Sequence, residues 1–307
     1  MKRFLLILIT ICLLISLIGC EEKKMDKEEV SEDHLTVFVT IPPLKSLAER
    51  IGGEYCDVHV LLPPGAEPHS YEPTPEDIRR LTNSDLLFQI GMGFDEWATK
   101  IALAAENGPR IIPLAAGVPS LPALPERLRK RYRADEKVSA HGNPHVWMDP
   151  FITSELLLQE MIRGFAAAYP AISDTFWYRG HALKKELRNL DEKISLQLED
   201  LKSRSVILHH GSMIYFCRRY GMIVLDILEP LPGYEPSPKD IQDIVELGKE
   251  KNAVCVMSEI NISQKPAKVI GEELNIPVVI VDPHGDNETS YIELIEKNVK
   301  AIEENVQ

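Results

Sequence analysis

Four segments of this 307-residue sequence carry side chains suited to holding a cation. His69 ends Pro63-Pro64-Gly65-Ala66-Glu67-Pro68-His69, just after the apolar run 58–62. His145 lies in Asn143-Pro144-His145-Val146-Trp147-Met148-Asp149-Pro150, a turn-rich stretch that opens a helix at Ser154. His209 and His210 follow the run 206–208 directly, and Asp282 follows 278–281 and precedes Pro283-His284-Gly285. Three imidazoles and a carboxylate form a borderline-soft N/O donor set that suits Zn²⁺ in tetrahedral geometry. The gaps of tens of residues fit no local zinc motif, and a histidine at a strand end also serves as a hydrogen-bonded structural residue. The residues alone leave both readings open.

The elements that must position these groups are legible as short β-branched runs ended by Pro, Gly or polar residues: 36–40, 58–62, 86–90, 110–113, then 206–208, 223–227, 253–257 and 278–281. Helical patterns at 44–51, 75–81, 97–105, 240–251 and 266–274 lie between them. Apolar strands alternating with helices predict βαβ units and mainly parallel sheets, four strands to each of two α/β lobes. Ligands of such sheets lie beyond the carboxyl ends of the strands, where the candidate donors fall, so a shared cleft between the lobes is expected. A repeat supports the duplication. Tyr71-Glu72-Pro73-Thr74-Pro75-Glu76-Asp77-Ile78 recurs as Tyr234-Glu235-Pro236-Ser237-Pro238-Lys239-Asp240-Ile241, each copy a capped helix start with Pro at the first position. The stretch 173–203 has no proline and places Leu183, Leu187, Leu190, Ile194, Leu198 and Leu201 at helical spacing. It predicts one linking helix of about 30 residues, roughly 45 Å long. The expected division is an N-terminal lobe at 34–172, a linking helix at 173–203 and a C-terminal lobe at 204–307.

Lys2 and Arg3 precede an apolar run, 4–18, that suits the core of a signal peptide better than a membrane span. It ends in Leu17-Ile18-Gly19-Cys20, which resembles a bacterial lipoprotein box and implies cleavage after residue 19 and lipidation of Cys20. Residues 20–33 then form the lipidated cysteine and a charged tether, with a reach of roughly 20 Å. An exported chain, anchored at the outer face of the cytoplasmic membrane, is expected. With 47 acidic against 34 basic side chains and a net charge of −13, the chain lacks the basic footprint of a nucleic-acid binder. Five cysteines exclude a disulfide-dense scaffold. Cys56, Cys217 and Cys255 remain after Cys12 and Cys20 are set aside, an odd number read as small buried residues with one disulfide conceivable between Cys217 and Cys255.

Pro68-His69-Ser70-Tyr71-Glu72-Pro73, Pro144-His145-Val146-Trp147-Met148-Asp149-Pro150, His210-Gly211-Ser212-Met213-Ile214-Tyr215-Phe216, Tyr234 to Asp240 and Val281-Asp282-Pro283 resemble, in order, the signatures of one family. These are the zinc- and manganese-binding receptors of ABC metal importers, the ZnuA/TroA-like solute-binding proteins. The resemblance runs from about residue 36 to the C-terminus. It implies metal ligands at His69, His145, His210 and Asp282, with His210 preferred over His209 because Tyr215-Phe216 stands at the family's spacing from it. A histidine at that third position goes with zinc, whereas manganese receptors carry Glu there. Glu67 and Asn143 stand where the family commonly has Asp, and His284 where Leu is usual, so His284 is an extra donor candidate at the cleft rim. The long His- and acid-rich loop of many zinc receptors is replaced by a basic stretch, 126–141.

The expected function is therefore capture of Zn²⁺ and delivery to an ABC permease powered by a separate ATPase, by a monomer without enzymatic activity of its own. A manganese or iron receptor is the alternative within the family. An exported zinc hydrolase and an adhesion lipoprotein with a structural metal stand further off. Glu259, at a strand end, is a candidate supporting residue or fourth ligand. His34, His59, His181 and His209 are read as structural, and Trp97 and Trp147 as packing in the cleft wall.

Overall fold

The computed structural model describes residues 34–63, 65–69, 71–122, 142–230 and 233–306. The expected signal peptide, Cys20, the tether and the basic stretch lie outside the described residues. In the N-terminal half the elements are β1 (Leu35–Val39), α1 (Pro42–Gly52), β2 (Cys56–Val60), α2 (Pro75–Leu81), β3 (Leu86–Gln89), α3 (Glu96–Ala104) and β4 (Arg110–Pro113). A helical turn, Pro150–Ile152, runs through a π turn, Thr153–Leu157, into α4 (Leu158–Ala168). The long helix α5 (Ser173–Gln197) follows, then β5 (Ser205–Leu208), α6 (Ile214–Arg219), β6 (Ile223–Ile227), α7 (Pro238–Lys251), β7 (Ala253–Glu259), α8 (Lys265–Leu274), β8 (Val278–Val281) and α9 (Tyr291–Asn305).

Each half builds a four-stranded, all-parallel sheet, in the orders β2-β1-β3-β4 and β6-β5-β7-β8. The two orders are the same pattern, as a duplicated βα unit requires. Val37, Val39 and the whole of β3 are buried, which explains why these strands read as continuous apolar runs instead of alternating ones. The repeated octapeptide is also equivalent in three dimensions. Thr74 and Ser237 both close capping boxes with the acid three residues on, and Tyr71 and Tyr234 both donate their hydroxyls to that acid, Asp77 and Asp240, at 2.7 Å.

The linking helix is shorter than its periodicity suggests. α5 spans 25 residues, about 37 Å, because the chain leaves the helix after Gln197, makes a 3₁₀ turn at Glu199–Leu201 and reverses at Ser203 with φ of 63°. Its apolar face, Leu183, Leu187, Leu190 and Ile194, belongs to one core that also contains the inner residues of the first sheet and one face of the second. Gly180 lets α5 approach α4, since a Cβ there would lie 2.2 Å from Ile162 Cδ1. A smaller core, including Ile207, Ile244, Val256 and Ile270, covers the other face of the second sheet.

Cys56, Cys217 and Cys255 are all buried free thiols, so the disulfide conceived between Cys217 and Cys255 is absent. Burial raises the thiols of Cys56 and Cys255 to about 12 and that of Cys217 further still. Thiols held so firmly protonated are small core residues.

Candidate metal centre

The loops that leave the carboxyl ends of β2 and β5 meet the turn before the helical segment at Pro150. They bring His69, His210 and His145 together, with one ligand nitrogen of each within 4.8 Å of the others. His69 Nε2 and His145 Nε2 are 3.3 Å apart. Two nitrogens held about 2.05 Å from a tetrahedral zinc stand about 3.3 Å from each other, so this edge already has ligand spacing. The ring centroids of the three imidazoles are separated by 5.2 to 5.6 Å.

Each histidine is oriented by a specific partner. Asn143 Oδ1 accepts from the His145 backbone N–H at 2.9 Å and lies 3.1 Å from its Nδ1, while Asn143 Nδ2 donates to the Gly211 carbonyl at 2.8 Å. The amide is thereby fixed oxygen-first toward His145, so the imidazole carries its proton on Nδ1 and aims a lone pair from Nε2 into the centre. His210 Nδ1 lies 3.3 Å from the Glu229 carbonyl, which can only accept, and its buried Nε2 has no protein partner. Glu67 Oε1 accepts from the His69 backbone at 3.2 Å, and Phe94 meets the His69 ring edge-on at 4.8 Å.

The imidazoles line a cavity of about 290 Å³ together with Glu67, Glu229, Glu259 and His284. Burial, reinforced by the neighbouring imidazoles, lowers His69 to about 3 and holds His145 well below its ordinary value. His284 is lowered to about 4, again chiefly by burial. The site thus keeps these nitrogens neutral, the form that ligates. Glu259 is buried beside it and accepts from Ser212 Oγ at 2.5 Å; burial pushes its carboxyl up.

Asp282 is not part of the 4.8 Å group and does not line the cavity. Its Oδ1 accepts from the backbone N–H groups of His284 and Gly285 at 3.0 and 2.8 Å. His209 turns away from the cavity, buried, with Nδ1 2.9 Å from Ser258 Oγ. The two tryptophans do more than pack. Trp97 Nε1 donates to the Pro68 carbonyl at 3.0 Å, beside His69, and Trp147 Nε1 donates to the Pro283 carbonyl at 2.8 Å. Nothing in the local sequence signals these bonds, whose partners lie 29 and 136 residues away.

Two helix-linked parallel sheets with imidazole donors converging from both halves define a solute-binding protein of the ZnuA/TroA-like class. The chain belongs to the family described as ZnuA, zinc-uptake complex component A periplasmic, whose model matches residues 37–305. The zinc-binding lipoprotein AdcA of Streptococcus pneumoniae is 24% identical over 99% of this chain, which spans 61% of that relative. The chain covers about three fifths of the length of the curated relatives it matches. A crystal structure of ZnuA superposes with a TM-score of 0.76 at 26% identity, over 89% of this chain and 99% of that one. FpvC from Pseudomonas aeruginosa, in complex with Mn²⁺, has the same fold with a TM-score of 0.75 at 24% identity, over 89% and 98%.

Proposed function

We propose that this chain is an extracytoplasmic receptor that captures Zn²⁺ with His69, His145 and His210 and hands it to an ABC permease driven by a separate ATPase. The observation that carries the reading is the convergence of three imidazole nitrogens within 4.8 Å, drawn from three separate loops. A carboxylate at Asp282 or an imidazole at His284 completes the fourth position. Imidazole at the third position favours zinc over manganese, which prefers harder oxygen donors. The names of the AdcA and ZnuA relatives support zinc, and the Mn²⁺ complex of FpvC keeps manganese as the alternative. The lipoprotein relative and the sequence around Cys20 support a lipid anchor at the outer face of the membrane. The role is binding and delivery, with no catalytic step assigned to any residue.

Competition between Zn²⁺ and Mn²⁺ for the metal-stripped chain tests this. One tight zinc site per chain, with manganese far weaker and a large loss in His210→Ala, is the expected result. Comparable affinities move the chain to the manganese or iron branch, and no tight site for either ion overturns the receptor reading.

A further inference from the structure

We propose that His284 is the fourth donor to the captured ion, and that Asp282 serves as the residue that builds the turn presenting it. The inference rests on the reading of this cleft as a metal site and names one more residue of it. It begins with what Asp282 already does. Its backbone N–H donates to Asn298 Oδ1 at 2.7 Å and its carbonyl accepts from Asn298 Nδ2 at 2.6 Å, so α9 clamps the end of β8. Its Oδ1 then accepts from two successive backbone N–H groups, those of His284 and Gly285. Gly285 takes φ of 61°, a left-handed conformation that glycine adopts without strain. These two bonds fix the direction of the Asp282 carboxylate through Oδ1 and tie it to the turn.

The side chain this turn presents is His284. It lines the cavity shared by His69, His145 and His210, which Asp282 does not. The Trp147 indole, 5.1 Å from the His145 ring, also lies 5.9 Å from the His284 ring, and it anchors the same turn through the Pro283 carbonyl. Among the described residues, two imidazole nitrogens are buried without any hydrogen-bond partner: His210 Nε2 and His284 Nε2. Buried polar atoms are normally satisfied, and two orphaned imidazole nitrogens, on residues that line one cavity, point to a common cation. His284 stands outside the 4.8 Å group, so coordination closes by movement of its side chain from the rim. The result is an all-nitrogen donor set, softer than one with a carboxylate, which discriminates further against manganese.

X-ray absorption fine structure on the zinc-loaded, unmutated chain reads the donor set without a mutation. Four imidazoles are expected; three imidazoles and a carboxylate overturn the assignment. Zinc competition on two variants gives a second reading. Asp282→Asn retains an Oδ1 that accepts both turn bonds, and its affinity should change far less than that of His284→Leu, expected to fall at least about tenfold. The reverse order, with Asp282→Asn the more damaging, overturns the proposal while leaving the receptor reading intact. Absence of tight zinc in the unmutated chain overturns both. Far-ultraviolet circular dichroism of each variant identifies any loss that comes from unfolding.

Discussion

The Nε2 atoms of His69 and His145 face each other at 3.3 Å, too close for two bare lone pairs. Asn143 holds the His145 proton on Nδ1, so the proton between the rings belongs to His69 Nε2. To ligate through that nitrogen, His69 must move its proton to Nδ1. Long-range ¹H–¹⁵N correlation spectra should therefore show His69 as the Nε2–H tautomer without metal and the Nδ1–H tautomer with zinc, while His145 stays Nδ1–H throughout. An Nδ1–H tautomer for His69 in the metal-free chain would contradict the argument.

Asn143 is the joint between the two halves of the site, since one amide orients His145 and holds Gly211 next to His210. Asn143→Ala removes both bonds, and zinc affinity should fall by about 10- to 100-fold, the usual cost of losing a partner behind a ligand. Asn143→Asp keeps an acceptor for His145 but cannot donate to Gly211, so it should lie between the two. Equal affinity in wild type and Asn143→Ala would mean that packing alone orients the imidazole.

Much of this arrangement is legible in the sequence because its causes are local. The strands are β-branched runs, the two helix starts carry their caps, and His69, His145 and His210 sit in turn-rich segments beyond strand ends. The rest is set by partners distant in sequence. Asp282 is a strand-end carboxylate by pattern, but its direction is decided by the turn it bonds and by Asn298, sixteen residues on. The tether of Pro283 to Trp147 crosses 136 residues. Leucine spacing continued the linking helix past Gln197, because Leu198 and Leu201 remain buried after the backbone has left the α-helix.

Asp95 underlies the first lobe's side of the site. It is fully buried, and its carboxylate accepts from Thr40 Oγ1 and the backbone N–H groups of Ile90 and Gly91 at 2.6 to 2.8 Å. Phe94, which braces His69, is its neighbour. Asp95→Ala strands three donors, at a cost of roughly 3 kcal/mol or more. Chemical denaturation of the metal-free variant should register that loss; a change below about 1 kcal/mol would indicate that solvent takes over the donors.

The depressed value of His69 makes a signed prediction about acid. Burial is the main cause, followed by the nearby His210 and His284, and it lowers the folded value to about 3. The unfolded chain binds a proton at this residue below about pH 6.5, the folded chain only near pH 3. Protons therefore favour the unfolded state across that window, and the penalty is absent above it. Metal-free wild type should lose more stability between pH 7.5 and 4.5 than His69→Gln, by on the order of 2 kcal/mol. Parallel losses in the two proteins would show that His69 titrates normally in the folded chain.

Removing the metal should leave the fold in place. Both sheets are completed by their own parallel ladders, the core passes from one half to the other through α5, and direct bonds such as Trp147 to Pro283 and Tyr291 to the Trp147 carbonyl hold the halves together without an ion. Metal-free protein should accordingly keep its far-ultraviolet spectrum and a cooperative melt. Zinc should raise the melting temperature by mass action, because it binds the folded site and has weak claim on separated histidines: about 4 kcal/mol of added stability at a thousandfold excess over Kd. A chain that loses its cooperative melt on chelation would instead carry a structural zinc, the behaviour expected of an adhesion lipoprotein and not of a receptor that must survive release of its cargo.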